Sequence, residues 1–460
     1  MLSARDRLLA ALFACQLAVA AVLGIYLVHA LNKDAKPTVL TQAPATGTVQ
    51  PSTGATAAPQ ATAQAGTQGT AGHTVTTTNG GTGGSTVTPG TADKDVIPAG
   101  APIKIGAVVS QTGPINFVSS AQATKAYFDR LNRQGGINGH KIVLDLRDDQ
   151  LDATRGLQLA QQLVNEGVFA FVGWNAPNTE SQNFANFLAQ NKMPLIGAYG
   201  QQNEYHSPYA YAFSATYGHF GYEMAKYLVE KGTKHPGLVY LRNGNDKADN
   251  ELEQAFKDGF KSAGVTLADG DIHPVEVTQV SYDDVVTSFR LGQVDGFASL
   301  LDQTAYNRLL QSQDRQAYHV THVADPLFVD PSVKQTSNTD GVFVTADYDF
   351  VEGGTAAVQD YVSTVKSAFG GQAQINYFGE QGWVDAIVFT EAVKAMGTNI
   401  TRQNLLAVMD KLNGKGGYGI TSDLHFGPGV RDLNRCVKFG KMVGGHLQRV
   451  TGWRCNEQPF

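Results

Sequence analysis

Ile103-Lys104-Ile105-Gly106-Ala107-Val108-Val109 is an apolar, β-branched run that ends at a polar loop, 110–119, containing Gly113-Pro114. Such a run, bounded by turn residues, predicts a buried strand. Downstream, Ser119 or Ser120 can cap a helix whose Ala123, Tyr127 and Leu131 fall at i, i+4 and i+8, and Gly135-Gly136 stops it. The apolar stripe of that helix is expected to lie on a sheet. Asn138-Gly139 then turns the chain into 141–147, where Ile142, Leu144 and Leu146 alternate with polar residues before Asp148-Asp149. The stretch reads as a β-α-β unit.

Strands and helices go on alternating at the spacing of a doubly wound fold. Helices are predicted over 154–166 and 179–191, with strands over 168–172 and 194–196. A second series starts with a helix over 221–231 and continues with strands over 237–241, 296–300, 319–323 and 341–346. Helices over 249–262, 282–291 and 303–312 separate those strands, and helices over 355–369, 378–396 and 402–412 follow. One lobe would not hold all of this.

The opening unit also resembles a known family. Ile103 to Val108, Thr112-Gly113-Pro114, Leu131-Asn132 before Gly135-Gly136-Ile137-Asn138-Gly139, and Asp148-Asp149-Gln150, in this order and spacing, are similar to the start of the type I periplasmic solute-binding proteins. The similarity is to the branched-chain amino acid (Leu/Ile/Val)-binding branch of ABC transporter receptors, and runs from about residue 103 to about residue 449. It implies an α/β fold of two doubly wound, Rossmann-like lobes joined by a three-crossover hinge. The crossings are expected near Tyr217, Asp347 and Ser422, which assigns 103–217 and 347–422 to lobe 1, and 218–346 and 423–460 to lobe 2.

Composition narrows the partners. The chain has 460 residues, 42% of them hydrophobic and only 17% charged, with 50 glycines, so an uncharged segment dilutes a globular average. A net charge of -6, without any basic stripe interleaved with aromatics, gives no reason to expect nucleic acid. The diluting segment is 37–92, which lacks Asp, Glu, Lys and Arg altogether. It cannot bury enough apolar surface to offset its ordering entropy, so a disordered linker over 37–102 is expected, with an end-to-end distance on the order of 45 Å. Ahead of it, 8–31 is uncharged and long enough to cross a bilayer, for which about 20 apolar residues suffice. An uncleaved anchor over 1–36 is favoured over a cleaved signal peptide, because the apolar run exceeds the ~7–15 residues usual for the latter. The expected location is the cell membrane, with the binding domain on the extracytoplasmic side.

No His-Glu-x-x-His, Gly-x-Ser-x-Gly, phosphate loop or Cys-x-x-Cys occurs, and the eleven histidines are scattered singly. A binding protein is therefore expected rather than an enzyme, with no metal and no cofactor. Ligands of open α/β sheets sit at the carboxyl ends of strands. In lobe 1 this selects the loop 173–179 at a helix start, where free N–H groups suit a carboxylate. By the resemblance, Asn178 and Thr179 match the family's hydroxyl-bearing loop, and Tyr199, Gly200 and Gln201 the loop after the next strand. Thr179 can equally form a capping box with Gln182. Phe117 stands where many relatives carry Tyr. In lobe 2, Asn245-Asp246-Lys247-Ala248 follows the strand where relatives commonly carry Tyr-Gly, which leaves Asp246 as the candidate there. Asp302 and Asp325, after the next two strands, could meet a ligand ammonium. Asp302 can instead cap the helix from Gln303, and Asp325 can serve as a turn residue before Pro326. Among Tyr199, Tyr205, Tyr209, Tyr211 and Tyr217, Tyr199 is the expected cleft wall and the others include core residues.

Cys436 and Cys455 are an even pair in a domain expected in an oxidising compartment, and predict a disulfide. They sit in the arms of a hairpin around Gly444-Gly445. A two-residue turn at those glycines would leave the cysteines two residues out of register, so either a shifted turn or a bulge is expected. The function implied is capture of a small polar ligand, an amino acid or related amide or acid, for delivery to an ABC permease. A sensing or surface-interaction module of the same fold is the alternative.

Overall fold

Strand β1 (Ile103–Val108) is buried at all but Lys104 and lies parallel to β2 (Ile142–Arg147), with Ile103 opposite Ile142 and Val108 opposite Arg147. The computed structural model describes residues 96–113, 116–176, 182–198, 207–242, 246–334, 339–456, all within one compact unit, Ser85–Phe460. The expected membrane anchor and nearly all of the expected linker lie outside the described residues. Among the described residues no helix is long and apolar enough to cross a membrane. The fold begins a little before the predicted start. Val96 bridges to Thr401 and the Ile97 N–H donates to the Ile400 carbonyl at 2.9 Å, so residues 96–102 belong to the fold rather than to the linker.

The first sheet adds β3 (Ala170–Trp174), β4 (Leu195–Ala198), β5 (Ala210–Ala215) and β11 (Asp432–Asn434), in the order β11-β5-β4-β3-β1-β2. The second contains β6 (Pro236–Leu241), β7 (Ile272–Val275), β8 (Gly296–Leu300), β9 (Thr321–Ala324) and β10 (Phe343–Ala346), followed by β12 (Cys436–Val443) and β13 (His446–Arg449). Its order is β13-β12-β10-β9-β8-β6-β7, with β14 (Arg454–Cys455) paired to β12. Strand β7 escapes a sequence reading because Pro274 interrupts it. Its position at the sheet edge is where a missing N–H is tolerated.

Short polar residues start several of the helices, though not the first, where Ser119 and Ser120 lie inside the helix instead of capping it. Asp152, Thr216, Thr355, Asn376 and Thr401 each accept a backbone N–H at the first turn of α2 (Ala153–Asn165), α4 (Tyr217–Glu230), α8 (Ala356–Phe369), α9 (Tyr377–Met396) and α10 (Arg402–Met409). The first helix, α1 (Val118–Arg133), starts without a side-chain cap, and its stripe does not rest on the sheet alone. Tyr127 meets Trp383 of α9 edge-on at 5.0 Å, and the Arg130 guanidinium lies over the same indole at 4.8 Å. The Thr124 hydroxyl donates to the Gly382 carbonyl, and a Cβ on Gly382 would come within 2.5 Å of the Ser120 carbonyl oxygen. A glycine there sets how closely the two helices approach.

The chain passes between the sheets at Thr216, at residues 347–349 and at Arg435. The last crossing corrects the expectation of Ser422. Asp432–Asn434 pairs parallel with β5 of the first sheet, and only Cys436 onward joins the second. Two buried side chains tie the crossings together. Asp347 Oδ2 accepts from the Ala215 N–H at 2.7 Å, and Asn434 Nδ2 donates to the carbonyls of Phe213 at 3.2 Å and Asp347 at 3.0 Å.

At the C-terminal hairpin the two-residue turn forms. Gly444 and Gly445 have φ of 60° and 76°, and Val443 pairs with His446, so the shifted turn does not occur. The bulge does. The N–H groups of Val450 and Thr451 both donate to the Phe439 carbonyl, at 2.9 and 3.1 Å. Cys436 is thereby brought opposite Cys455, and the two are disulfide-bonded with α-carbons 4.0 Å apart.

Candidate functional site

On lobe 1 the carboxyl ends of β1 and β3 are laced to each other. Val109 bridges to Asn175, the Ser110 N–H donates to the Asn175 carbonyl at 2.9 Å, and the Phe117 N–H donates to the Ser110 carbonyl at 2.7 Å. Gly173 makes the approach possible. Its φ of 74° suits glycine, and a Cβ would lie 2.7 Å from Thr124 Oγ1. Asn175 is buried and donates from Nδ2 to Ser120 Oγ at 2.6 Å, while its Oδ1 has no hydrogen-bond partner among the described residues. An uncommitted amide oxygen at a strand end is a group a ligand can use. Asn175 is part of the loop selected from sequence but was not singled out there, because its neighbours Asn178 and Thr179 matched the family pattern. Ser110 donates to Asp149 Oδ1 at 2.6 Å, bracing the loop from below.

Of the expected lobe 1 ligand residues, Phe117 is described and Asn178, Thr179, Tyr199, Gly200 and Gln201 lie outside the described residues. Phe117 is only 6% exposed, packs edge-on against Phe378 at 4.6 Å, and shares an apolar cluster with Leu327 of lobe 2. Phe117 therefore stands in the wall between the lobes. Of the tyrosines, Tyr211 is a core residue on β5: its hydroxyl donates to Asp410 at 2.9 Å and Arg431 covers its ring at 4.3 Å. Tyr209 and Tyr217 are partly buried in apolar clusters, and Tyr205 lies outside the described residues.

On lobe 2, Asp246 opens helix α5 (Asp246–Ser262). Asp302 accepts from the Ala305 N–H at 2.8 Å and caps α7 (Gln303–Gln316). Asp325 Oδ1 accepts from the Leu327 N–H at 3.0 Å and from the Tyr306 hydroxyl at 3.0 Å. Both aspartates thus perform the capping and turn roles open to them. Although Asp325 as a residue keeps some exposure, its carboxyl is enclosed, and burial pushes it up to about 8 against the pull of Tyr306. Beneath it, Ser299 and His322 approach to 2.6 Å, but both are buried in the sheet core and burial lowers His322 to about 3. The pair has the chemistry of a nucleophile and base without access to a substrate, and its role here is to support the end of β9.

Between the lobes beside the hinge, Asp349 joins Lys438 and, at 2.7 Å, Arg449. Burial raises the Asp349 carboxyl, but the hydrogen bond and charge of Lys438, with Thr355 N–H and Arg449, outweigh it and hold the group below the usual range. Asn376 at the start of α9 donates from Nδ2 to Asp330 of lobe 2 at 2.8 Å.

A model of the periplasmic binding proteins matches residues 102–445. The chain belongs to the periplasmic binding protein family. The resemblance read from residues 103–150 is thereby shown, and the two sheets with three crossings are the type I arrangement. A solute-binding protein of an ABC transporter from Rhodopseudomonas palustris, solved with p-hydroxybenzoic acid, superposes with a TM-score of 0.66 at 17% identity, covering 78% of this chain and 98% of that one. A fatty acid ABC transporter substrate-binding protein from Thermomonospora curvata superposes at 0.65 and 17% identity, covering 79% and 95%. In sequence, a Leu/Ile/Val-binding protein of Rhizobium johnstonii is 34% identical over 77 residues, 16% of this chain and 21% of that relative, so the match spans about a fifth of the relative's length. Among this periplasmic binding protein's described residues, no group of acidic, His and Cys side chains could hold a metal ion.

Proposed function

We propose that this periplasmic binding protein captures a small polar ligand, an amino acid or a related amide or acid, between its lobes and hands it to the permease of an ABC importer. The observation that supports the reading is the hinge, where three crossings are held together by Asp347 and Asn434. Ligands of open α/β sheets sit at the carboxyl ends of strands, and a hinge lets two lobes close on them. Thr179 and Asn178 take the ligand's carboxylate just ahead of α3 (Gln182–Asn191), and the open Asn175 Oδ1 accepts from an N–H of the ligand. Tyr199, Gly200 and Gln201 line the next loop, and Phe117 packs against the ligand's apolar part. From lobe 2, Asp246 lines the cleft and Asp302 faces the ligand's ammonium group, while the enclosed Asp325 shapes the cleft by holding the turn that follows it. The N-terminal segment 8–31 anchors the protein in the membrane, and 37–92 tethers the binding domain on the extracytoplasmic side.

The solved neighbours carry names that span fatty acid and hydroxybenzoate, and the sequence relative is named for Leu, Ile and Val, so the ligand is to be found by screening. A thermal-shift screen over amino acids, amides and small aromatic acids tests the reading. A true ligand at 100 times its dissociation constant adds about 2.7 kcal/mol of stability. No shift from any member of these classes would remove the ligand assignment.

A further inference from the structure

A cavity of about 180 Å³ opens between the lobes beside the hinge. Leu327 and Val329 of lobe 2, Phe350 of the second crossing, and Ile375 and Tyr377 of lobe 1 form its apolar walls. A dry cavity of ~150 Å³ accommodates benzene, so this one has room for a group of six to eight heavy atoms.

Four carboxyl groups also line it, and three are already engaged. Asp330 accepts from Ser332 N–H at 2.9 Å and from Asn376 at 2.8 Å. Asp349 is held by Lys438, Arg449 and the Thr355 N–H. Glu352 accepts from His446 at 2.8 Å and from the Leu447 N–H at 3.0 Å. The fourth, Glu380 on the first turn of α9, is 2% exposed, and its buried Oε1 has no hydrogen-bond partner among the described residues. A carboxyl taken out of water without a partner costs the fold free energy, and is retained where something else meets it.

We propose that this cavity is a binding site for a small amine, whose ammonium group pairs with Glu380 while its apolar part lies against Leu327, Val329, Phe350, Ile375 and Tyr377. The cations nearby cannot take the ammonium's place, since Lys438 and Arg449 both pair with Asp349. None of the described cleft candidates Phe117, Asp302 and Asp325 lines the cavity, which lies beside the cleft proposed for the transported solute. Because its walls come from both lobes, an occupant holds them in the arrangement seen here.

The charge state of the empty site supports an amine. Burial raises the Glu380 carboxyl well above the usual range; Asp349 and Asp347 add to this, while Lys438 and Arg449 oppose it. The Tyr361 phenol, Asp330, Tyr377 and the Glu352–His446 pair are further titratable groups around the cavity. An ammonium beside Glu380 favours the ionised carboxyl against that burial, so binding draws protons off the site and not onto it.

The test is calorimetry of the purified full-length chain with benzylamine and with its neutral isostere benzyl alcohol, at pH 7 in buffers of different ionisation heat. Benzylamine is expected to bind at least about tenfold more tightly than the alcohol, with a net release of protons that the alcohol does not cause. Glu380→Gln removes both the preference and the proton release, and Val329→Trp, which fills the cavity from lobe 2, removes binding of both compounds. Equal affinity for the two compounds, no binding, or benzylamine affinity that survives either substitution would overturn the assignment. Benzylamine binding lost in Thr179→Ala but kept in Glu380→Gln would place the amine in the main cleft and overturn it equally.

Discussion

Asn376 Nδ2 donates to Asp330 Oδ2 at 2.8 Å, and the bond joins the start of α9 in lobe 1 to the loop after β9 in lobe 2. It is a latch across the cleft, positioned where hinge motion would separate its partners. Replacing Asn376 by Asp keeps an acceptor for the Gly379 N–H and sets two carboxylates against each other. Asn376→Asp is expected to widen the average lobe separation of the ligand-free protein, read as a larger radius of gyration in small-angle scattering above pH 5. Scattering identical to wild type would show that the latch does not govern closure.

Ligand capture by lobe 1 depends on Thr179 and Gln201. Loss of a charge-assisted hydrogen bond in Thr179→Ala is expected to weaken binding of the screened ligand by about 1–3 kcal/mol, and Gln201→Ala to do so by a similar amount. Calorimetry decides this for each variant. Unchanged affinity with a lower melting temperature would leave Thr179 only its capping role.

The Cys436–Cys455 bridge closes a loop with a sequence separation of 19. Its reduction is expected to lower the unfolding free energy by about 3 kcal/mol, on the chain-entropy account of disulfides. Denaturant unfolding of the Cys436→Ser/Cys455→Ser double variant measures it, and mass spectrometry of the unreduced protein should find neither thiol alkylatable. A double variant as stable as wild type would mean that the bulge and strand pairing hold the hairpin without the bridge.

Asp347 at the second crossing gives a pH dependence of definite sign. Burial pushes its carboxyl up to about 7, against hydrogen bonds from the Ala215 N–H and Tyr377. The folded state therefore keeps a proton that the unfolded chain loses near pH 4. Its contribution is fully present below that value, declines as pH rises, and is lost once pH passes about 7. Asp347→Asn, which preserves the acceptor for Ala215, is expected to flatten the fall in stability between pH 4 and pH 7. The same slope in variant and wild type would assign it to other groups, of which Asp325 is the first to examine.

Local order was legible in the residues themselves. The β-branched run of β1, the cap at Asp302, and the Asn138-Gly139 turn act within a few positions of one another, where spacing and side-chain chemistry decide the backbone. The cysteine pairing was legible too, as was the need for a bulge or shifted turn, because hairpin register is arithmetic. Which of the two occurs was decided by the partner strand, where Phe439 holds Val450 and Thr451 at one carbonyl. The crossing at Arg435 in place of Ser422 was likewise decided by long-range pairing. Asp432–Asn434 is too short to read as a strand and becomes one only beside β5. Glu380 marks the boundary most clearly. Its sequence position shows a charged residue in an apolar helix, but only the packing of both lobes and the commitment of Lys438 and Arg449 to Asp349 leave its Oε1 buried and without a hydrogen-bond partner among the described residues. Burial and charge pairing are properties of what surrounds a residue in space, and neighbours contributed by distant segments are set by the tertiary structure alone.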